Sequence, residues 1–197
     1  MNRPDLKELH FITPQKNLPS ILELGIFSNR EATPLRPVSI ADAKVQERRA
    51  KKKVPGGQPL HSYANLYLCA RNPMLYARLS EHAQLCVLGV STAVLDLPGV
   101  IVADGNAGSD YTAFFPAPSG LERVAARLVF AERWTDSNPF LYWHKKRVKC
   151  AEVLIPTCVE PRFIERILVS CEDAAERVRG MDVKPPVVVD RRLFFRP

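Results

Sequence analysis

The stretch Ser39–Tyr76, SIADAKVQERRAKKKVPGGQPLHSYANLYLCARNPMLY, decides how the rest of the chain is read. Its front half carries Lys44, Arg48, Arg49, Lys51, Lys52 and Lys53 against Glu47 alone, so +5 of the formal net charge of +7 sits in ten residues. Residues Ile40 to Lys52 contain no helix breaker and many good helix formers, which predicts a basic helix ended by Pro55-Gly56-Gly57. Behind it, Asn65–Cys69 reads as a strand, and Pro73–Ser80 as a helix with proline in its first turn, where the missing N–H costs nothing. His61, Tyr63, Tyr67, Arg71, Asn72 and Tyr76 make this run richer in polar aromatics than a purely structural strand and helix need. It reads as the lip of a binding site.

Outward from this stretch, Leu9–Thr13 is an apolar run stopped by Pro14, and Leu18, Ile21, Leu22 and Leu24 recur at helical spacing up to Gly25. After it, Leu85–Val90 and Val100–Val102 read as strands, ADGNAGSDYTAFF as an irregular loop, and Leu121–Phe130 as a helix. A second cationic segment, His144, Lys145, Lys146, Arg147 and Lys149, closes a loop that begins near Trp134 and leads into the apolar strand Cys150–Ile155. Ile167–Ser170 and Val187–Val189 add strands, with a helix at Glu172–Arg179 between them. Six or so short strands mixed with helices, without a regular βαβ rhythm, predict an α+β fold rather than a doubly wound parallel sheet.

The 197 residues, 46% hydrophobic and 25% charged, fit one ordinary globular domain spanning 1–197. The start, MNRPDLKELH, lacks a signal-type apolar core, and no run approaches the roughly 20 apolar residues of a membrane span, so a cytoplasmic protein with no membrane association is expected. Five widely spaced cysteines without a CxxC pair fit reduced thiols, with neither a disulfide framework nor a metal site. A pI near 9.3 with clustered charge favours an acidic partner, a nucleic acid or a phosphorylated cofactor, over which a merely solvated basic face is the alternative.

No GxGxxG, GxxxxGK[ST], HExxH or GxSxG occurs, which removes the usual dinucleotide, P-loop, zinc-protease and serine-hydrolase readings. Glu152 is the oddest residue: a carboxylate beside Val153, Leu154 and Ile155 either faces solvent from an open strand position or is held at a cleft for chemistry. Arg48 and Arg49 are surface charges, or a guanidinium that enters a cleft as the bidentate partner of a phosphate. His10 on an apolar strand is commonly a core histidine. Trp134, Tyr142 and Trp143 are packing residues, or in a basic loop they stack on bases.

Taken in order, LHFIT..KNLPSILELGI, SIADAKVQERRAKKKVPGG, LHSYANLYLCARNPMLYA and CAEVLI resemble the DarT family of toxin-like DNA ADP-ribosyltransferases, from Leu9 to Ile155 and loosely beyond. The resemblance implies an ADP-ribosyltransferase fold, a split β-sheet with flanking helices and an NAD cleft, and transfer of ADP-ribose from NAD to a base, thymine or guanine, of single-stranded DNA. The family's essential arginine and glutamate fall on Arg49 and Glu152. Its histidine and threonine contacts to nicotinamide fall on His10 and Thr13, although an ungapped alignment anchored on Asn17-Leu18 puts Phe11 at the histidine position. NAD contacts are thus expected from His10, Phe11, Thr13, Asn17, Arg49, Tyr67 and Tyr76. DNA contacts are expected from Lys44, Lys51, Lys52, Lys53, His61, Tyr63, Arg71, Trp143, His144, Lys145, Lys146 and Arg147. A macrodomain antitoxin that removes the ADP-ribose is the implied partner, and the oligomeric state stays open. The competing functions are an RNA-directed ADP-ribosyl or 2′-phosphate transferase of the same fold, and a nucleic-acid-binding module without catalysis.

Overall fold

In the structure, a computed structural model that describes residues 1–196, the chain opens with strand β1 (Leu9–Pro14), helix α1 (Leu18–Leu24), strand β2 (Ile26–Phe27) and helices α2 (Asn29–Ala32) and α3 (Ala43–Ala50). Strand β3 (Tyr63–Tyr67), helix α4 (Pro73–Tyr76) and strands β4 (Leu85–Val90), β5 (Ile101–Ala103) and β6 (Phe114–Pro116) follow. The last part holds helices α5 (Ala126–Val129) and α6 (Pro139–Lys149), strands β7 (Glu152–Pro156), β8 (Cys158–Val159) and β9 (Ile164–Val169), helix α7 (Glu172–Arg179) and strand β10 (Val187–Val189).

Eight strands share one sheet in the order β10-β9-β4-β1-β3-β7-β5-β6, while β2 and β8 form a separate ribbon. The large sheet is close to being two: β1 pairs with β4 along its whole length, yet meets β3 only where His10 faces Tyr67. This is the split sheet of an α+β fold, and residues of β1 and β3 on either side of the failed pairing line the main cleft.

The core follows from strand alternation. On β4, Cys86, Leu88 and Val90 join the large cluster built on Leu9, Leu66, Val153 and Ile167, while Leu85 and Val87 face a smaller cluster with Ile12, Leu168 and Phe194. Both faces of the strand are covered, which is why it is apolar throughout. Helix α1 ends at Gly25, whose φ of +102° lies where side chains are strained, and a Cβ there would stand 2.5 Å from the Val159 carbonyl oxygen. Helix α7 buries Ala174, Ala175 and Val178 and carries Glu172 and Asp173 in its first turn and Arg177 and Arg179 in its last, complementing the helix dipole.

Several expectations need correction. The basic helix is Ala43–Ala50 rather than Ile40–Lys52, because the Asp42 side chain accepts from the Val45 N–H at 3.0 Å and caps it late. The second strand runs Tyr63–Tyr67, two residues earlier than its apolar run. Leu121–Phe130 is not one helix: Val124 and Ala125 leave helical geometry and separate a 3₁₀ turn from α5. The presumed loop from Trp134 to Lys149 contains α6, opened by Asn138, whose side chain accepts from the N–H groups of Phe140 and Leu141, with Pro139 in the first turn. Strand β6, inside the expected loop, was also unforeseen.

Candidate active site

Successive residues on a helix point about 100° apart, and on α3 this turns Arg48 to solvent and Arg49 inward, where it is 6% exposed. Its Nη1 donates to Oε1 of Glu152 and its Nη2 to Oε2, each at 3.1 Å. Glu152 opens β7 between Tyr67 of β3 and Ala103 of β5 and is fully buried. A third donor, the Ala107 N–H, reaches Oε1 at 3.0 Å. The carboxylate in the apolar strand is therefore not a solvent-facing residue but one arm of a buried, bidentate ion pair.

Burial works against the Arg49 charge, but attraction to Glu152 and the two hydrogen bonds hold its pKa above the ordinary arginine value. Burial, reinforced by the Glu152 charge, pushes the Tyr67 hydroxyl well above the usual tyrosine range, so it stays protonated. His61 sits nearby with its ring Nε2 at 3.1 Å from Gln46 Oε1; burial, and then the Arg49 charge, lower its pKa.

These groups border a cleft of about 1680 Å³. One side is the loop 104–113, which is held in place by many bonds. The Asn106 N–H donates to the Arg147 carbonyl at 2.9 Å, the Thr112 hydroxyl to the Asn106 carbonyl at 2.7 Å, and the Arg147 guanidinium to Asp104 at 2.7 Å. Lys52 bonds the Ser109 carbonyl oxygen. At the cleft mouth this loop presents Tyr111, 87% exposed, and the first turns of α6 present Phe140, 86% exposed, and Trp143, 62% exposed.

Of the residues singled out in the sequence, Phe11, Thr13, Asn17, Lys44, Arg49, His61, Tyr63, Tyr67, Trp143, His144, Lys146 and Arg147 line this cleft, with Glu152 buried beneath Arg49. Two of them have little left to offer a ligand. The buried Tyr63 hydroxyl accepts from the Gln58 N–H at 3.1 Å, and both amide protons of Asn17 are donated within the protein.

Several others lie elsewhere. Strand alternation turns His10 away from Phe11 and Thr13 into a separate pocket of about 330 Å³, where its Nε2 lies 3.1 Å from Glu8 and its buried Nδ1 has no partner. Tyr76 packs edge-on against Trp134 and Phe195, with centroids 5.7 and 5.2 Å away. Arg71 donates to the carbonyls of Arg192 and Glu132 and lies 4.2 Å above the Phe195 ring. Lys145 pairs with Asp136 at 2.6 Å, Lys53 joins the turn through a bridge to Pro59, and Lys51 is exposed outside the cleft lining. For His10, Tyr76 and Arg71 the aromatic or cationic signal reflects packing rather than the cleft.

Sequence reading missed Tyr111, Phe140, the Ala107 N–H and Asn106. The available signal was a tyrosine in a turn-rich loop and the spacing of Phe140 and Trp143 one helical turn apart. Among the described residues no group of three or more His, Cys, Asp or Glu is placed to hold a metal, and no helix is long and apolar enough to cross a membrane.

A family model described as ssDNA thymidine ADP-ribosyltransferase, DarT, matches residues 10–195. A DNA ADP-ribosyl transferase-DNA ADP-ribosyl glycohydrolase fusion protein of Thermosipho africanus is 30% identical over 98% of this chain and 51% of its own, so the chain spans about half the length of that relative. A DNA ADP-ribosyl transferase of Thermus sp. strain 2.9 is 31% identical over 89% of this chain and 87% of its own. The solved Thermus sp. 2.9 DarT in complex with ADP-ribosylated ssDNA is similar at a TM-score of 0.84 and 26% identity, covering 98% of each chain. The same protein in complex with carba-NAD+ is similar at 0.79 and 25% identity, covering 96% of this chain and 98% of that one.

Proposed function

The chain belongs to the DarT family, and on that premise we propose that it is an NAD-dependent transferase that moves ADP-ribose onto thymine in single-stranded DNA. The observation that carries the reading is the buried Arg49–Glu152 pair at the edge of a cleft far larger than the roughly 300–1,000 Å³ of a single-ligand pocket. A cleft of that size has room for a dinucleotide and an acceptor base together. Lys44 and Arg48 give its rim positive charge, and Phe11 supplies an apolar wall.

When bound, NAD supplies an ADP-ribosyl group whose ribose carbon C1′ becomes electrophilic as its bond to nicotinamide breaks and the bonding pair leaves with that ring. Glu152 stabilises the positive charge that develops on the ribose and accepts the proton from the attacking nitrogen. In thymidine the only ring nitrogen with a proton is N3, so N3 forms the new bond to C1′ as that proton goes to the carboxylate. Oε2 is the less engaged oxygen, with one bond from Arg49, whereas Oε1 has two. Arg49 fixes the orientation of the buried carboxylate through its two parallel bonds, and its remaining N–H donors are free for substrate oxygens.

Tyr111, Phe140 and Trp143 at the mouth stack neighbouring unpaired bases, and Lys44, Arg48 and Lys146 face the phosphates. An acceptor that is already unpaired avoids the cost of extruding a base from a duplex. The Thermosipho relative joins a transferase to a DNA ADP-ribosyl glycohydrolase; by analogy this chain is the toxin of a pair whose macrodomain partner reverses the modification, acting on cytoplasmic DNA. Incubation with NAD and matched single-stranded DNA, duplex DNA and RNA, with nicotinamide release and labelled transfer both measured, tests the reading. Transfer to single-stranded DNA alone is expected, and equal or preferential transfer to RNA would overturn it.

A further inference from the structure

Asn17 occupies the N-cap position of α1, where asparagine ordinarily caps, yet its side chain makes no capping bond. Instead its Oδ1 accepts from the Val38 N–H at 3.0 Å and its Nδ2 donates to the Val38 carbonyl at 2.9 Å. The second Nδ2 proton goes to the Thr13 hydroxyl oxygen at 3.0 Å, joining the clamp to β1. The side-chain amide thus offers Val38 the donor and acceptor that a neighbouring strand would offer.

Residues Pro37 to Asp42 all line the cleft and run directly into α3, which carries Arg49. The other hydrogen bonds of residues 36–42 are local: Arg36 to Thr33, Ala41 to the Ser39 hydroxyl, and Asp42 to the first turn of α3. Among the described residues only the Asn17 bonds tie this segment to the body of the protein, besides the packing of Ile40.

We propose that Asn17 is a positioning residue that holds segment 36–42 over the cleft as a preformed wall of the NAD site, rather than a group that contacts NAD; the inference rests on the reading that NAD occupies this cleft. Both amide protons are already engaged, so the residue has no donor left for a ligand. Without the clamp, the segment must be ordered each time NAD binds, and the effect falls on binding rather than on the chemical step.

The test uses the full chain. Asn17→Ala is expected to raise the KM for NAD about tenfold, the equivalent of one or two net hydrogen bonds, and to leave kcat within about threefold. Val38→Pro deletes the clamped N–H from an exposed position while leaving Asn17 in place, and is expected to raise KM by a similar factor. Hydrogen exchange without NAD supplies a readout independent of catalysis: the Val38 amide is protected in the wild type and loses protection in Asn17→Ala, while β1 and β4 amides stay protected. If Asn17 touches NAD directly, Asn17→Ala raises KM, but Val38→Pro does not and Val38 exchange is unchanged, which overturns the proposal. If calorimetry finds no NAD binding to the wild type, the functional reading fails, whereas Val38 exchange still decides whether the clamp exists.

Discussion

The Arg49 guanidinium and the Glu152 carboxylate, 103 residues apart in sequence, meet through two parallel hydrogen bonds of 3.1 Å, and both residues are buried. Removing one partner of such a pair leaves an uncompensated buried charge, which costs about 3–5 kcal/mol. Arg49→Ala should therefore lower the unfolding free energy by about that amount in urea titrations, besides abolishing transfer. Arg49→Lys keeps a charge but loses the planar fork. It should recover most of the stability and little of the activity, and full activity in it would show that the fork is not required.

The exposed aromatics at the cleft mouth should separate substrate binding from folding. Base stacking contributes about 1–3 kcal/mol per base, so Tyr111→Ala, Phe140→Ala and Trp143→Ala should each raise the KM for oligonucleotide by about five- to 150-fold. The KM for NAD and the melting temperature should hardly move, because these side chains are mostly solvent-exposed. Steady-state kinetics with each substrate varied in turn checks this.

Contacts to several phosphates make nucleic-acid affinity steeply salt-dependent. Oligonucleotide binding should weaken with a slope on log salt that falls by about one for each of Lys44→Ala, Arg48→Ala and Lys146→Ala. Lys145→Ala should leave the slope unchanged, because that lysine is already paired with Asp136. Fluorescence anisotropy across a salt series measures both.

A pH prediction comes from the separate pocket that holds His10. Burial raises the pKa of Glu8, but hydrogen bonds from His10 and Arg166 outweigh it and bring the carboxyl to about 2 from an ordinary 4.5. A carboxylate with a depressed folded-state pKa adds stability that is complete above the ordinary value and is lost as pH falls through 4.5 toward 2. Glu8→Gln should be less stable than the wild type at neutral pH, and the gap should close on acidification through that window. A gap that stays constant from pH 6 to pH 3, on the order of the range spanned by carboxylate titration, would contradict it.

Much of the fold was legible because its clearest elements obey local rules. Leu85–Val90 is an apolar run bounded by polar residues, and Glu172–Arg179 has a buried stripe and complementary end charges; both were read with their correct bounds. Helix α6 was missed because its large apolar residues, Phe140, Leu141 and Trp143, face solvent rather than a core, so no inward stripe marks it. Arg49 and Glu152 could be joined only through the family resemblance, since nothing local says that a helix and a strand so far apart will meet. Tyr76 and Arg71 lie outside the cleft lining because they pack on Phe195, and in sequence an aromatic and a cation that pack look like ones that bind a nucleotide. Alternation along β1 alone would have separated His10 from Phe11 and Thr13.

The central claim is that Glu152, held by Arg49, drives transfer of ADP-ribose from NAD to thymine N3. Mass spectrometry of a single-stranded oligonucleotide with one thymine, incubated with NAD and either the wild type or Glu152→Gln, tests it most directly. Glutamine keeps the shape of the side chain but cannot take the proton. The account predicts one ADP-ribosyl adduct on thymine with the wild type and product reduced by at least about 10²-fold with the variant. Undiminished adduct from Glu152→Gln, or wild-type adduct on a base other than thymine, would contradict it.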